Sequence, residues 1–189
     1  MWEWSKTLFK SRKGYRSLRD SYTDLLPVPD SDSKTPAPVS DIPAPAQMQN
    51  ILQEKIRSCG LRGIELRECA YHPQTWAEMA KDFAEYQHVR KTFLKLTAYS
   101  HADECRRLGF DDEDMELLKN KHSPENYNVH IKIPFDFGGT LDFNNLCLIK
   151  SHPVHDNLHR LIELQIGNGF LQKHKIIYIP WFEGSIYHD

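Results

Sequence analysis

The stretch NVHIKIPFDFGGTLDFNNLCLIKSHPVHDNLHRLI, residues 128–162, decides the fold of this chain. Apolar and polar side chains alternate over residues 129–133, which is the period-two pattern of a strand. A turn-rich segment with two adjacent glycines follows, and the apolar run 145–149 predicts a second strand. Pro153 is placed to open a helix that ends near Gly167. The stretch therefore predicts strand, loop, strand and helix in that order.

Three histidines in this stretch are candidate metal ligands. His155 and His159 stand four residues apart on the predicted helix. Their imidazoles then share one face with Cβ atoms about 5–6 Å apart, a spacing that suits chelation of one ion. His130 lies on the first predicted strand, 25 residues before His155. The alternative is an ordinary domain in which His130 is a satisfied core residue and the two helix histidines face solvent.

The order of these elements resembles the HNH, or ββα-metal, nuclease superfamily, and within it the bacterial toxin branch that includes the DNase colicins. The resemblance covers about 35 of the 189 residues, with a further hint in the acidic helix and the Pro-Glu-Asn-Tyr lead-in at 111–127. It implies an α+β fold in which a helical N-terminal scaffold packs on a C-terminal ββα-metal module. The matching residues are Val129-His130-Ile131-Lys132-Ile133-Pro134, Gly138-Gly139, Asn144-Asn145-Leu146 and the two helix histidines.

The resemblance also implies a role for each matching residue. His130, His155 and His159 would ligate one divalent ion, either Zn²⁺ or one of Mg²⁺, Mn²⁺ and Ni²⁺. Three neutral imidazoles and a water would complete a four-coordinate site with an open position. Asn145 would hold the loop and orient the catalytic base. The metal would bind the scissile phosphate and stabilise the leaving 3′ oxygen.

Residue 131 departs from the family pattern, because isoleucine stands where the family has its general-base histidine. A register shifted by one residue would make His130 the base and would leave Val129 in the place of a ligand. One histidine is missing in either register, and general-base catalysis is commonly worth about 10²- to 10⁴-fold in rate. A water held by the metal, His152 or Lys132 are the candidate substitutes. His152 also fits an ordinary position before a helix start.

The residues before this stretch predict a helical part over 48–122. Thr75 and Glu78 form a capping-box pattern in front of a long amphipathic helix over 75–98. Its large side chains are expected in the core: Trp76, Met79, Phe83, Tyr86 and Phe93. Other predicted elements are a helix from Met48 that stops at Gly60, a short helix from Ser100 to Gly109, a helix over 111–120 and a terminal strand over 174–180.

The chain divides into three segments by composition. Residues 1–22 carry six basic and two acidic side chains among aromatic ones, and residues 23–47 hold six of the eleven prolines, as flexible linkers do. Residues 48–189, the predicted HNH-like domain with its ββα motif at 128–166, carry 17 basic and 20 acidic side chains. The first segment is either a terminal helix on its own domain or a docking peptide for a partner, a membrane surface or DNA. The acidic domain weakens a nucleic-acid interpretation, since phosphate contacts normally need a basic face.

The four cysteines show no C-x-x-C pair, which argues against a zinc ribbon and a thioredoxin-type site and favours free thiols in a reducing compartment. No apolar run approaches the roughly 18 residues of a membrane span. The sequence predicts a cytoplasmic protein without a transmembrane segment, or one exported as an effector without a cleaved signal peptide.

These observations leave three functions open. The first is a metal-dependent endonuclease that hydrolyses DNA as a bacterial toxin or effector, with a delivery or immunity protein bound through residues 1–22. The second is a catalytically inactive pseudo-nuclease that keeps the metal cradle and binds protein or nucleic acid. The third is a metal-free helical interaction domain. The identity of the metal, the choice between DNA and RNA and the oligomeric state stay open at this point.

Overall fold

A computed structural model describes residues 42–188. The predicted N-terminal segment 1–22 and residues 23–41 of the predicted linker lie outside the described residues. Within 42–188 the chain is a mixed α+β fold with small sheets, which confirms the predicted α+β class. No helix in this range is both long and apolar enough to cross a bilayer.

Helices dominate the first part of the described chain, and strands and helices alternate in the second. The helices are α1 Pro45–Ser58, α2 Trp76–Ser100, α3 Ala102–Arg107, α4 Asp112–Lys119, α5 Asp156–Gly167 and α6 Phe170–His174. The strands are β1 Glu65–Ala70, β2 Tyr127–Ile131, β3 Leu146–Lys150, β4 Ile176–Trp181 and β5 Ile186–Tyr187.

Helix α1 begins three residues earlier than the predicted start at Met48. Pro45 occupies the first turn, where its missing N–H costs nothing, and the Ala44 N–H donates to Gln47 Oε1 at 2.9 Å. The helix ends before Gly60, which adopts the left-handed φ of 72°. Residues 45–47, which the composition assigned to the linker, therefore form the first turn of α1.

Helix α2 confirms the predicted capping box. The Glu78 N–H donates to Thr75 Oγ1 at 3.3 Å, and the Thr75 N–H donates to Glu78 Oε2 at 2.8 Å. The expected core role is confirmed for Phe93, which is 3 % exposed, and is wrong for Trp76, which is 63 % exposed. The cause is length, since 25 residues of helix span about 37 Å and extend past the core that its C-terminal half covers.

Two small sheets organise the strands. Strands β1 and β4 pair antiparallel from Glu65 opposite Trp181 to Ala70 opposite Ile176. Strand β2 pairs antiparallel with β3, and β3 pairs parallel with β5. The predicted order of strand, loop, strand and helix is confirmed in β2, β3 and α5, but Pro153 lies in a π-type turn at Ser151–His155 rather than in the regular helix.

The three-stranded sheet separates two apolar cores, because neighbouring residues of a strand point to opposite faces. Cys147 and Ile149 of β3 face the first core, which contains the buried sides of α1, α5, α6 and β4. Val129 and Ile131 of β2 face the second core, together with buried residues of α2, α3 and α4. Helix α5 therefore covers one face of the β2–β3 hairpin, and α2, α3 and α4 cover the other.

The loop between β2 and β3 is closed by the side chain of Asn145. Its Oδ1 accepts from the Ile133 N–H at 2.8 Å, and its Nδ2 donates to the carbonyl oxygens of Ile133 at 2.9 Å and Thr140 at 2.8 Å. Gly139 passes so close that an added Cβ would lie 1.7 Å from the Ile133 carbonyl oxygen. The loop was predicted to need its two glycines, and at residue 139 the reason is that a side chain would clash with Ile133.

We expect Gly139→Ala to destabilise the fold, because the new methyl group cannot coexist with the Ile133 carbonyl group. Overpacking of this kind typically costs about 1–3 kcal/mol, and a backbone clash is at the upper end. The control is Gly167→Ala at the end of α5, where nothing lies within 4 Å of the added Cβ. Chemical denaturation measures both free energies of unfolding, and equal stability of the two variants would contradict the close approach.

Candidate metal centre

The structure brings together all three predicted metal ligands. The ligand nitrogens of His130, His155 and His159 all lie within 4.8 Å of one another. Ring centroids are 5.0 Å apart for His130 and His155, 5.6 Å for His130 and His159, and 4.3 Å for His155 and His159. Among the described residues this is the only group of three or more His, Cys, Asp or Glu side chains with metal-binding geometry.

His130 is the most enclosed member of the cluster. It lies in β2 opposite Cys147 of β3, and only 1 % of its surface is exposed. Its Nδ1 is buried and has no hydrogen-bond partner. A buried polar atom without a partner is costly, so this nitrogen is a position where a cation would restore the missing interaction.

His155 and His159 face each other at the start of α5. Their Nε2 atoms are 3.0 Å apart. Two imidazole lone pairs at that distance repel unless a proton or a cation lies between them. Zinc–nitrogen bonds of about 2.0–2.1 Å in a tetrahedral site place neighbouring ligand nitrogens about 3.3 Å apart, so this pair is close to the required separation.

Burial favours the neutral form of all three imidazoles. Desolvation, with added repulsion from His155, His159 and Lys132, holds the pKa of His130 well below 6.5. Desolvation and His155 lower the pKa of His159 to about 3. Desolvation lowers the pKa of His155, although Asp156 opposes the change. Neutral imidazoles present the lone pairs that metal ligation requires.

The donor set fits a transition metal better than a hard cation. All three ligands are imidazole nitrogens, which suit Zn²⁺ or Ni²⁺, whereas Mg²⁺ and Mn²⁺ prefer oxygen ligands. Three protein ligands leave one position of a four-coordinate ion for water or substrate. The residues therefore fit the ion that the resemblance implies, with Zn²⁺ or Ni²⁺ as the better match.

His152, the third predicted catalytic residue, does not belong to the cluster. Its side chain is 77 % exposed, and its Nδ1 lies 2.6 Å from Asp156 Oδ2. Asp156 is the first residue of α5, directly after His155. The result is a histidine–carboxylate pair at the rim of the buried cluster, a partnership that the sequence analysis did not consider.

Ile131 points away from the histidine cluster. It is 5 % exposed and belongs to the second core with Val129, Leu146 and Leu148. An imidazole at this position would enter an apolar environment without a partner, at a cost of about 1–3 kcal/mol. The apolar surroundings of residue 131 therefore favour isoleucine over histidine. We expect Ile131→His to destabilise the fold and not simply to restore a base.

Lys132, another candidate base, has its side chain on the same face of the hairpin as His130 but is engaged elsewhere. Its Nζ donates to the Gly184 carbonyl oxygen at 2.8 Å and lies 4.7 Å from the centroid of the Trp181 ring. Burial lowers the pKa of its ammonium group. The sequence does not predict these contacts of Lys132 with Trp181 and Gly184, because residues 181–184 carry no local signal that connects them to β2.

Comparison with known proteins gives one informative match. The chain is 37% identical over 131 residues to the "Uncharacterized protein YhhZ" of Escherichia coli (strain K12), which covers 67% of this chain. The chain spans only about a third, 32%, of that relative's length. No protein-family model and no solved structure matches the chain.

We expect the metal-free protein to lose stability as the pH falls below about 6.5. The unfolded chain binds protons on these histidines near their ordinary pKa of about 6.5, whereas the folded chain resists protonation down to about 3 at His159. The free energy of unfolding therefore decreases with falling pH through that window.

His159→Gln should reduce this pH slope by up to one proton, about 1.4 kcal/mol per pH unit. Denaturation in EDTA at several pH values measures the slope, and His88→Gln on the exposed side of α2 controls for the loss of an imidazole. An unchanged slope in His159→Gln would mean that this histidine is not held neutral by the fold.

Proposed function

We propose that the chain is a metal-dependent phosphodiesterase of the HNH type that hydrolyses DNA. The observation that carries the proposal is the convergence of three imidazoles, of which His130 has a buried Nδ1 without a hydrogen-bond partner. The order of β2, loop, β3 and α5 and the loop closure by Asn145 support it, since both match the pattern of that superfamily.

In this proposal His130, His155 and His159 hold the ion. When bound, such an ion would supply a Lewis acid that offsets charge on the scissile phosphate and on the leaving 3′ oxygen. Asn145 fixes the loop beside β2 through its three hydrogen bonds and so keeps the end of that strand in register. Burial keeps the imidazoles neutral and ready to bind.

His152 is the proposed general base in place of the absent histidine at 131. When its Nδ1 donates to Asp156 Oδ2, Nε2 carries the free lone pair and can accept a proton from the attacking water. The water oxygen then bonds to phosphorus as the bond to the 3′ oxygen breaks. Exposure of His152 suits this role, because the proton must later reach solvent.

The biological setting is a further part of the proposal. A basic aromatic segment, a proline-rich segment and a compact domain form the layout of a toxin or effector with a docking end and a working end. Residues 1–22 would bind a delivery or immunity protein. The slight excess of acidic groups in 48–189 requires the DNA contacts to come from a local basic surface or from the N-terminal segment.

A pseudo-nuclease is the second candidate. It is favoured by Ile131, which is packed in the second core, so that the hairpin is built around an aliphatic residue at the family's base position. The acidic balance of the domain also favours it. In this case the histidine cluster would bind metal for stability, and the protein would act by recognition alone.

We expect about one Zn²⁺ or Ni²⁺ per chain by elemental analysis and a higher melting temperature in the presence of the metal. His155→Ala should abolish both effects, since two imidazoles remain, whereas His88→Ala should keep them. No stoichiometric ion in the purified or reconstituted wild-type protein would exclude the nuclease and the metal-bearing pseudo-nuclease and leave the metal-free interaction domain.

We expect relaxation of supercoiled plasmid with Zn²⁺ or Ni²⁺ and weaker cleavage with Mg²⁺ or Mn²⁺. His152→Ala should keep its metal and lower the cleavage rate by about 10²- to 10⁴-fold, because only proton transfer is lost. His155→Ala should be inactive through loss of the ion.

Two outcomes decide between the candidates. Stoichiometric metal without cleavage by any of the four ions supports the pseudo-nuclease and contradicts the enzyme. Full activity of His152→Ala leaves the nuclease intact and removes His152 as its base.

A further inference from the structure

A cavity of about 420 Å³ lies at the end of the β2–β3 hairpin, beside the histidine cluster but not lined by it. Its volume is in the range of small-molecule sites. The lining residues that matter here are Ile133, Thr140, Asp142, Phe143, Asn144 and Trp181. None of the proposed metal ligands and no group used in the proposed hydrolysis except the loop-closing Asn145 borders it.

Two aromatic side chains line the cavity, and Phe143 offers the exposed ring surface. Phe143 is 40 % exposed, although its ring is anchored 6.1 Å from the ring of Phe93. Trp181 is 8 % exposed and is fixed by the guanidinium of Arg67 at 3.7 Å and the ammonium of Lys132 at 4.7 Å. Exposed aromatic surface on a fixed support is what stacks against planar rings such as nucleobases.

The polar groups of the cavity suit a base and not a phosphate. Asp142 presents a carboxylate that accepts from the Thr140 hydroxyl at 2.6 Å, and no lysine or arginine appears among the described residues of the lining. A carboxylate repels phosphate but accepts hydrogen bonds from the amino groups of bases. The exposed amide of Asn144 offers a donor and an acceptor beside it.

The cavity is preformed and lies near the histidine cluster. The hydrogen bonds of Asn145 and the close packing of Gly139 against Ile133 hold its loop in one conformation, which lowers the entropic cost of binding. Ile133 follows His130 by three residues, so their Cα atoms are at most about 10 Å apart. A base in the cavity and a phosphate at the cluster can therefore belong to one strand.

We propose that this cavity binds one unpaired nucleobase of the strand whose phosphate is held at the histidine cluster. The inference rests on the proposed function for its ligand, a nucleic acid, and adds that the substrate is single-stranded or locally unpaired. Phe143 stacks on the base, and Asp142 and Asn144 bond its edge. The bases with exocyclic amino groups are adenine, cytosine and guanine, so thymine tracts should bind more weakly.

Fluorescence anisotropy with the 189-residue chain, measured both with Zn²⁺ and in EDTA, tests the proposal without any need for cleavage. The probes are a fluorescein-labelled single strand of about 16 mixed nucleotides and the same strand with abasic sites throughout. Loss of a stacked aromatic side chain typically lowers affinity about 5- to 100-fold. We expect Phe143→Ala to lower affinity for the base-containing strand in that range and to leave the abasic strand unaffected. Tyr99→Ala, which removes an aromatic side chain that is 63 % exposed elsewhere on α2, is the matched control.

Asp142→Asn separates a base from a phosphate in the cavity. The lost negative charge raises affinity for any strand, so the abasic strand is the reference. With a base bound, Asp142→Asn should increase affinity for the base-containing strand less than for the abasic strand, whereas a phosphate in the cavity would give equal increases. Equal increases in Asp142→Asn, or wild-type affinity in both Phe143→Ala and Asn144→Ala, would overturn the proposal. Absence of cleavage of both plasmid and a single-stranded oligonucleotide contradicts the nuclease alone, since the effect of Phe143→Ala on binding is measured independently.

Discussion

The alternation of side chains across β2 and β3 is the constraint on which the rest of the molecule depends. The three-stranded sheet is covered on both faces, so the apolar residues of the hairpin alternate between two cores. His130 and Ile131 are neighbours in sequence and end on opposite sides of the sheet. A slip of one residue would put an aliphatic side chain against His155 and a histidine into the apolar core. The register that builds the cores is thus the same register that builds the histidine cluster.

Burial then determines the chemistry of the cluster. Three imidazoles removed from water favour their neutral forms, and the nearby ammonium of Lys132 adds to this preference at His130. Trp181 and Gly184 hold the Lys132 ammonium group, so a second cationic group lies close to His130. A carboxylate partner is found at the rim, where Asp156 meets His152. The cluster therefore has imidazole lone pairs in its buried interior and the His152–Asp156 pair at its solvent edge. This is the arrangement expected for a site that binds a cation from solvent.

Elements and site residues could be predicted from the sequence where a short-range residue pattern specifies them. Helical spacing of four placed His155 beside His159, strand alternation placed His130 on a buried strand, and the Thr75–Glu78 box located α2. Strand β1 escaped prediction because its charged residues are half-exposed and its partner β4 lies more than a hundred residues away. The same is true of the contacts of Lys132 with Trp181 and Gly184 and of the core position of Ile131. Such features depend on which distant segment covers a residue, and no local pattern encodes that choice.

The contacts of residues 184–187 have a consequence for how the chain acquires its structure. Lys132 bonds to Gly184, 52 residues later, while β5 supplies the parallel neighbour of β3 and the Tyr187 hydroxyl donates to the Arg62 carbonyl oxygen at 2.7 Å. A ribosome delivers all three histidines well before these segments. Until residues 184–187 are synthesised, β3 has no partner on its second edge and the Lys132 ammonium group lacks its hydrogen bond to Gly184. Completion of the three-stranded sheet and of the Lys132 contacts therefore awaits closure of long loops, a step that generally slows folding and leaves the strand edge exposed in the interval.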